Sequence, residues 1–446
     1  MLTIQLALRN LMQARRRTLL LGTAIGLVTV LLVGMLSWAH GIEDSLVREA
    51  TTLSAGHVVL AGFTKTNPKE AAPIVSDKET LKKIVQENTP GLDYVIDRRR
   101  GWGKVVSDTE SIQSGLTGID VAQEKRFFDS IQLAPESDYV EGGSSEALGD
   151  PKAIANRHTC IVYAAQAKKL GVKIGDVLTI QTETAGGQTN TIDITLVAVL
   201  KDMGLLSSFA LLMNYDDLNE LYALGPDTTG AIWIYLDDID DADDTLAHLR
   251  QVFLDKGYLV MDHDPKPFWM KFDTVSGEDW VGQKLDLTIW RDEVSFITWV
   301  VTAFNAITWF LVVILVAIVA VGIMNTMWNS VRDRTAEIGT MRAIGMHRRQ
   351  VVMLILAEAI LLGLGATAIG ALVGAGLAAG IDAAQIKVPI EAVQAILLSD
   401  KLHLAVEPGT LVQAVVFLTM FTALAAVWPA MRAGRLRPIT AIQHVE

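Results

Sequence analysis

The stretch from Val294 to Val331 restricts the possible fold more than any other part of the chain, because its 38 residues include no charged side chain. As one helix it would be roughly 57 Å long, at about 1.5 Å per residue. The hydrocarbon core of a bilayer is only about 30 Å thick. We therefore predict a membrane-spanning helix that continues out of the bilayer as a stalk.

Three other runs are long and apolar enough to cross a membrane, namely Thr18–Trp38, Val351–Ile381 and Leu411–Met431. Each has at least the roughly 20 residues that a crossing requires. The basic residues 15–17 before the first run resemble the start of a secretion signal, but its 21 residues exceed the usual apolar core of such signals. We therefore predict that the first run is a retained span.

The distribution of charge predicts the orientation. Residues 39–296 hold 24 Lys or Arg and 42 Asp or Glu, whereas the short segments flanking the spans on the other side hold 12 Lys or Arg and three acidic residues. Positive charge in short flanking segments marks the cytoplasmic side of a membrane. We expect a multi-pass protein of the inner membrane, with both termini in the cytoplasm and the large acidic domain in the periplasm.

The predicted fold class is an α-helical membrane protein with four transmembrane helices and a large α+β extracytoplasmic domain. In chain order we expect the following segments: an interfacial elbow helix (1–17), the first span (18–38), the periplasmic domain (39–296), the second span with its stalk (297–328), a cytoplasmic loop (329–350), the third span (351–381), a periplasmic loop (382–410), the fourth span (411–431) and a cytoplasmic tail (432–446).

The large domain contains two separated β-α-β patterns. The first places a strand at His57–Phe63, a helix at Asp77–Asn88 and then the strand "DYVIDRR". The second has a strand at Ala231–Asp238, the helix "TLAHLRQVFLDKG" and the strand "YLVMDH". Together they predict a split ferredoxin-like lobe. A mostly β lobe is expected as an insertion at about 130–228, with a hairpin that turns at 186–187.

Sequence motifs for common catalytic chemistry are missing from these 446 residues. There is no G-x-x-x-x-G-K-[ST], H-E-x-x-H, C-x-x-C or G-x-S-x-G. The aspartate-rich run Asp237–Asp244 lacks the order of a calcium loop and is better placed to cap the next helix. Cys160 is the only cysteine, so no internal disulfide can form. We expect no catalytic residue, metal or cofactor in this chain, and energy supplied by a partner.

Glu358 is the one acidic residue within the predicted third span. A carboxylate inside the bilayer costs roughly 3 kcal/mol on insertion scales and usually faces protein or a wet cavity. Either a structural hydrogen-bonding role or the handling of a proton or substrate is compatible with that position. The same span contains two small-residue pairs, Gly370 with Gly374 and Gly376 with Gly380, whose spacing predicts close helix packing.

The segment Asn325–Gly374 closely resembles the FtsX/MacB/LolC/LolE family of ABC transporter permeases. The family pattern is a span ending in N-x-M-x-x-[SN]-V, followed by R-x-x-E-I-G-x-[LM]-[RK]-A-[IL]-G, R-x-[QE]-[IV] and a span with E-A-x-x-L-G. The matching residues are Asn325, Met327, Val331, Arg334, Glu337, Ile338, Gly339, Arg342, Ala343, Gly345, Arg349, Glu358, Ala359 and Gly363.

The resemblance implies a pair of permeases, made of a second copy or a paralogue, with a dimer of cytoplasmic ABC ATPase subunits that use ATP and Mg²⁺. It also implies that the loop between spans two and three holds a coupling helix, which docks into a groove of the ATPase. The alternative is that its arginines only fix topology. The expected coupling residues are Arg334, Glu337, Ile338, Gly339, Met341, Arg342, Ile344, Gly345 and Arg349.

Within this set, Ile338, Met341 and Ile344 are expected to form the apolar side of the coupling helix. The arginines, with Arg348 added, are expected to meet an acidic ATPase surface or lipid phosphate. If the first two spans continue outward as stalks, ATP-driven closure of the ATPase would swing the periplasmic domains together, which is mechanotransmission rather than passage through a central pore.

Three functions remain open from the sequence. The absence of an ATPase domain in these residues, together with "SAGHVVL", "IKVP" and "LHLAVEP", resembles the LolC/LolE branch, which releases lipoproteins from the inner membrane to a periplasmic chaperone. The alternatives are a MacB-like efflux permease with a periplasmic adaptor, and an FtsX-like activator of a periplasmic hydrolase. No nucleic-acid partner is expected. Residues that could border an acyl-chain cavity, or merely pack or face lipid, are Leu32, Met35, Leu36, Phe304, Ile307 and Phe310.

Overall fold

The computed structural model describes residues 2–67, 70–184, 188–202, 207, 209–386, 388 and 401–436. These residues form two compact units. The membrane unit comprises the described residues of 1–44, 301–386 and 401–436, and the α/β unit those of 45–300 together with Val388. The predicted hairpin turn at 186–187, most of the predicted periplasmic loop and the end of the predicted tail lie outside the described residues.

Helices and strands are numbered in chain order. They are α1 (Leu2–Gln13), α2 (Arg15–Glu49), β1 (Val58–Asn67), β2 (Glu70–Ala72), β3 (Val75–Ser76), α3 (Lys78–Asn88), β4 (Leu92–Val106), β5 (Ser111–Ile119), α4 (Lys125–Ser130), β6 (Thr159–Tyr163), α5 (Ala164–Leu170), β7 (Val177–Glu183), β8 (Thr189–Leu200), β9 (Ala210–Asn214), α6 (Tyr215–Tyr222), β10 (Thr228–Thr229), β11 (Ala231–Leu236), α7 (Ala242–Asp255), α8 (Phe272–Gly277), β12 (Gly282–Ile289), α9 (Trp290–Glu293), α10 (Ser295–Asp333), α11 (Thr335–Ala343), α12 (Arg348–Ala383) and α13 (Pro408–Gly434).

Four helices among the described residues are long and apolar enough to cross a membrane. The candidate spans are Thr18–Thr52, Val301–Asp333, Arg348–Ala383 and Pro408–Gly434. Three of them contain an apolar run found in the sequence, and Val301–Asp333 covers all but the first seven residues of the charge-free stretch Val294–Val331. Four such helices beside a large α/β unit confirm the predicted fold class.

Glycines let the third span approach the first. A Cβ added at Gly370 would lie 2.6 Å from the carbonyl oxygen of Gly26, and one added at Gly374 would lie 3.1 Å from the Cβ of Val33. Small residues are what permit such close backbone contact. The second predicted pair behaves differently, because Cβ atoms at Gly376 and Gly380 would meet no described atom within 4 Å. Of the two predicted pairs, only Gly370 with Gly374 packs against another helix among the described residues.

One lobe of the α/β unit has ferredoxin-like topology. Its strands lie in the order β12-β1-β11-β4, and all three neighbouring pairs are antiparallel. The helices α3 and α7 connect β1 to β4 and β11 to β12, which makes two β-α-β units split by an insertion. Apolar side chains of these elements, including Leu81, Ile234 and Leu287, form a buried core.

The fourth strand of this lobe is not the predicted "YLVMDH". That strand is β12, Gly282–Ile289, which pairs with β1 from Val58 to Lys65. Residues of "YLVMDH" form only an isolated parallel bridge with this strand, in which the amide of Met261 donates to the carbonyl of Leu285 and the amide of Leu285 to the carbonyl of Leu259, both at 2.7 Å. The longer segment "GQKLDLTI" fills the position beside β1, because it supplies buried side chains at every one of its last five residues.

The inserted lobe begins earlier than the predicted residue 130, because β4 belongs to both lobes. Its first half pairs with β11, and from Arg99 to Val106 it pairs with β5. The strands β4, β5, β9, β6, β8 and β7 then form a ring that closes where β7 returns to β4. The ring surrounds an apolar core that includes Leu116, Val162 and Leu178.

Candidate functional site: the coupling helix and the Glu358 cluster

The predicted coupling segment folds as the short helix α11, directly after the second span. Its end is fixed by Gly345, whose φ of 108° lies in the region that favours glycine. The amide of Met346 donates to the carbonyl of Met341 at 3.1 Å, and the amide of Gly345 to that of Arg342 at 3.2 Å. These are the two hydrogen bonds of a Schellman motif, which explains why a glycine stands at this position.

Glu358 lies on α12 and is only 2% exposed. Its Oε1 accepts a hydrogen bond from Nη1 of Arg334 at 3.0 Å and another from Nδ2 of Asn10, on α1, at 2.5 Å. The Nε of Arg334 donates to Glu337 at 2.9 Å. Arg334 therefore bridges a carboxylate of the coupling helix and a carboxylate of the third span.

Arg334 was predicted to face the ATPase or lipid phosphate, and the structure places it differently. Its side chain is 21% exposed and turns into the bundle toward Glu358. A buried carboxylate without a partner is costly, and this pairing satisfies it. Glu358 thus has the contacts of a structural hydrogen-bonding residue. The two side chains share a small pocket lined by Ser330, Val331, Arg334, Ile338, Met341, Val351, Leu354, Ile355 and Glu358.

The apolar side of the coupling helix also differs from the prediction. Ile338 is 5% exposed and belongs to the core of the membrane unit, where Met341 packs against the same cluster. Gly339 is buried as well. Only Ile344 of the three apolar residues projects freely, with 83% of its surface exposed. The reason is that Ile338 and Met341 share a helix face that rests on the bundle, whereas Ile344 lies beyond the last helical turn.

Arg342 links the coupling helix to the fourth span. Its Nη1 donates to the carbonyl oxygens of Gly434, at 3.2 Å, and of Leu436. Those carbonyls lie at the carboxyl end of α13, where a cation is favoured by the helix dipole. Arg342 therefore points into the unit instead of toward a docking partner.

Four of the exposed residues in the predicted loop form a candidate surface for a partner, and it is smaller than the predicted one. Glu337, with 65% of its side chain exposed, and Ile344 lie on it together with the exposed Arg348 and Arg349. We call these four residues the docking face.

The six residues predicted to border an acyl-chain cavity are not gathered in one place. Leu32 and Leu36 pack with the other helices in the core of the bundle. Phe304 contacts Trp38 edge to face, with ring centroids 4.8 Å apart. Met35 is half-buried. Residues Ile307 and Phe310 face away from the described bundle, with 57% and 66% of their surfaces exposed.

The α/β unit holds a second cluster of buried charge, which sequence analysis did not select. Arg98 is 1% exposed, forms two hydrogen bonds with Glu124 and donates to the carbonyl of Thr52 at 3.1 Å. Thr52 belongs to a π-helical turn that follows α2. The next residue, Arg99, donates to Thr228 at 2.6 Å.

Arg100, the third consecutive arginine, reaches the segment before the second membrane helix. Its Nη1 lies 3.6 Å from Oε2 of Glu293, in α9, just before α10 begins. Burial raises the pKa of Glu293, while the charge of Arg100 opposes that shift. Two arginines of β4, the strand shared by both lobes, therefore contact different segments. Arg98 contacts the turn that follows α2, and Arg100 contacts the segment that precedes α10.

Sequence reasoning missed Asn10 as a partner of Glu358. It treated this segment only as an interfacial helix. In the structure Ala7 is fully buried, whereas Ile4 and Leu8 are 53% and 45% exposed. The available signal was a polar Asn three residues after a small Ala on a helix, a pattern that permits close packing with a polar contact.

Residues 309–438 match the family described as FtsX-like permease C-terminal. This range covers most of the second span, the coupling helix and the third and fourth spans, so it contains Arg334, Arg342 and Glu358. The fold and this match define the class as a membrane permease domain of the FtsX type.

Curated relatives carry the name Macrolide export ATP-binding/permease protein MacB. The protein of Chlorobium luteolum is 33% identical over 127 residues, which are 28% of this chain and 16% of the relative. The protein of Bartonella quintana is 22% identical over 437 residues, covering 96% of this chain and 57% of the relative. This chain thus spans little more than half the length of the Bartonella quintana protein. Residues 309–438 thus match an FtsX-like permease domain, and along its length the chain is similar to permeases of the FtsX/MacB type.

Among solved structures, the periplasmic region of MacB from Actinobacillus actinomycetemcomitans is similar to this chain. The identity is 12%, the TM-score is 0.29, and the match covers 57% of this chain and 97% of that one. The strand order by itself establishes the ferredoxin-like topology of the lobe.

Proposed function

We propose that this chain is a permease subunit that works by mechanotransmission, driven by a separate cytoplasmic ABC ATPase that binds the docking face. The observation that carries the proposal is the bridge from Glu337 through Arg334 to Glu358. It connects Glu337, which lies on the docking face, to the interior of the bundle.

The coupling helix is fastened to the membrane unit at three points. Arg334 holds it to α12, and through Glu358 to Asn10 of α1. Arg342 holds it to the end of α13, and Ile338 is buried in the shared core. A displacement of the docking face would therefore move several helices as one body, since packed cores and ion pairs resist local deformation.

The proposed setting is the bacterial inner membrane, with both termini and the docking face in the cytoplasm. The support is the concentration of Lys and Arg in the short segments at one end of the spans and the acidic character of residues 39–296. A second copy or a paralogue would complete the transporter, and Ile307 and Phe310 are exposed residues that such a partner or the acyl chains of a cargo could cover.

For the cargo we propose lipoproteins, released from the membrane to a periplasmic chaperone. The support is the likeness of "SAGHVVL" and "LHLAVEP" to the lipoprotein-release branch. A second candidate is export through a periplasmic adaptor, and it is favoured by the macrolide export proteins among the relatives.

The test is co-purification of the tagged chain from its native membranes, followed by identification of bound proteins. An ATPase subunit together with a second permease and a lipoprotein is the expected result. An ATPase with an adaptor protein, and without lipoprotein, would replace the first cargo with the second. Recovery of the intact chain with no ATPase subunit would contradict the proposal itself.

A further inference from the structure

Two tryptophans from different membrane helices stack near the end of the bundle that carries the coupling helix. Trp328 of α10 and Trp428 of α13 have ring centroids 5.2 Å apart and planes inclined by only 14°. The guanidinium carbon of Arg432 lies 4.3 Å from the centroid of Trp328 and 5.7 Å from that of Trp428. The three side chains form a compact aromatic and cationic cluster.

The spacing along both helices places a second cation, Arg332, on the same helix face as Trp328. Arg432 follows Trp428 by four residues, and Arg332 follows Trp328 by four. Residues four apart lie on the same face of a helix. Both helices end within two residues of these arginines, at Asp333 and Gly434. The cluster therefore lies where a span leaves the bilayer, the depth at which tryptophan rings meet lipid headgroups.

The cluster is open on its outer side. Trp428 is 52% exposed, and both arginines are exposed. A guanidinium that stacks on rings uses its flat face, which leaves its in-plane N–H groups free to donate to an anion. Among the described residues the ion pairs at this end of the bundle are those of Arg334, and neither Arg332 nor Arg432 takes part in one.

We propose that Trp328, Trp428, Arg332 and Arg432 form a binding site for the headgroup phosphate of an anionic phospholipid. A lipid phosphate lies at this depth and carries the complementary charge. The acyl chains would lie along the outward faces of α10 and α13, where Met324 and Leu424, one turn before each tryptophan, are exposed. The site belongs to the membrane unit alone and does not depend on the cargo.

The experiment uses the full chain in nanodiscs of phosphatidylcholine with increasing phosphatidylglycerol, and measures bound phosphatidylglycerol by native mass spectrometry. We expect Arg432→Gln to lower the apparent affinity about tenfold, a loss in line with one charge-assisted contact to phosphate. Arg435→Gln is the matched control, because Arg435 is an exposed arginine just past the end of the same helix. It should bind phosphatidylglycerol like the unmodified protein.

Further variants and a competitor distinguish a lipid site from a site for free anions and from a general effect of surface charge. Trp428→Phe keeps an aromatic ring and should retain most of the binding, whereas Trp328→Ala should lose it while the protein stays folded in a thermal scan. Inorganic phosphate at millimolar concentration should not compete. Equal lipid retention by Arg432→Gln, an equal loss in Arg435→Gln, or competition by free phosphate would each overturn the proposal.

Discussion

The Nη1 of Arg334 lies 3.0 Å from Oε1 of Glu358, which joins the start of the coupling helix to a carboxylate inside the third span. Because Nε of the same arginine bonds Glu337, one side chain connects an exposed carboxylate to a buried one. The bridge makes the coupling helix part of the bundle, so under the proposed function a force applied at the docking face would reach the helix core directly.

Replacement of Glu358 by Ala should destabilise the membrane unit more than replacement of Glu337 by Ala. Glu358→Ala leaves Nη1 of Arg334 and Nδ2 of Asn10 without their acceptor, and breaking a buried pair costs about 3–5 kcal/mol. Partial exposure of Arg334 should reduce this to about 2 kcal/mol. Glu337→Ala removes an exposed pair and should cost less than about 1 kcal/mol.

Thermal unfolding of the detergent-solubilised chain measures both changes. Equal melting temperatures for the two variants would show that the buried contact to Glu358 does not stabilise the bundle.

Two isoleucines of the coupling segment should behave in opposite ways. Ile338→Ala removes a buried side chain and should destabilise the protein by about 2–4 kcal/mol, because Ile338 is 5% exposed. Ile344→Ala should leave stability within about 0.5 kcal/mol, because Ile344 is 83% exposed, yet it should weaken ATPase binding.

The measurements are a thermal scan and the amount of ATPase subunit that co-purifies. A large loss of stability in Ile344→Ala, with unchanged ATPase recovery, would contradict the placement of the docking face.

Close packing of the first and third spans predicts a contrast between two glycines on one helix. Gly370→Ala brings its Cβ to 2.6 Å from the carbonyl oxygen of Gly26 and should cost about 1–3 kcal/mol. Gly376→Ala meets no described atom within 4 Å and should be neutral or slightly stabilising, since alanine favours a helix. The melting temperatures of the two variants test this contrast. A larger decrease in melting temperature for Gly376→Ala than for Gly370→Ala would refute the close packing of the first and third spans.

Acid should weaken the α/β unit in part through Asp97. Burial of this carboxyl opposes ionisation, but hydrogen bonds from Lys82 and from the hydroxyl of Tyr215 hold its pKa below the ordinary value of 3.8. A lowered folded-state pKa stabilises the protein above the unfolded pKa, and that stability is lost as the pH falls through the folded one.

Asp97→Asn should therefore be less stable than the unmodified chain near neutral pH and should lose less stability between about pH 5 and pH 3. Chemical denaturation of the full chain at several pH values measures the difference. Parallel pH profiles for the two proteins would exclude this role for Asp97.

Sequence patterns predicted the elements whose apolar residues recur at a regular spacing or whose composition is strongly apolar. Uninterrupted apolar runs identified all four long helices, and the two β-α-β patterns predicted the ferredoxin-like lobe. The insertion boundary was missed because β4 runs without interruption from Leu92 to Val106 through both lobes. No turn residue marks the point at which its partner changes.

The sequence did not predict the orientation of the arginines in the predicted coupling segment. The motif located Arg334, Arg342 and Glu358, whereas charge alone suggested that both arginines face outward. Their actual partners are a carboxylate 24 residues away and the carbonyls at the end of α13, 92 and 94 residues away. Such contacts depend on how distant helices pack, and no local pattern around either arginine indicated these partners.

The most direct test of force transmission through the docking face is the ATP hydrolysis that co-purifies with the chain from native membranes. A matched pair of variants is compared with the unmodified chain: Ile344→Glu together with Arg349→Glu on the docking face, and Arg435→Gln outside it. We predict that the docking-face variant remains folded and loses the associated ATPase subunit and its activity, while Arg435→Gln retains both. Undiminished ATP hydrolysis with the docking-face variant would contradict the account.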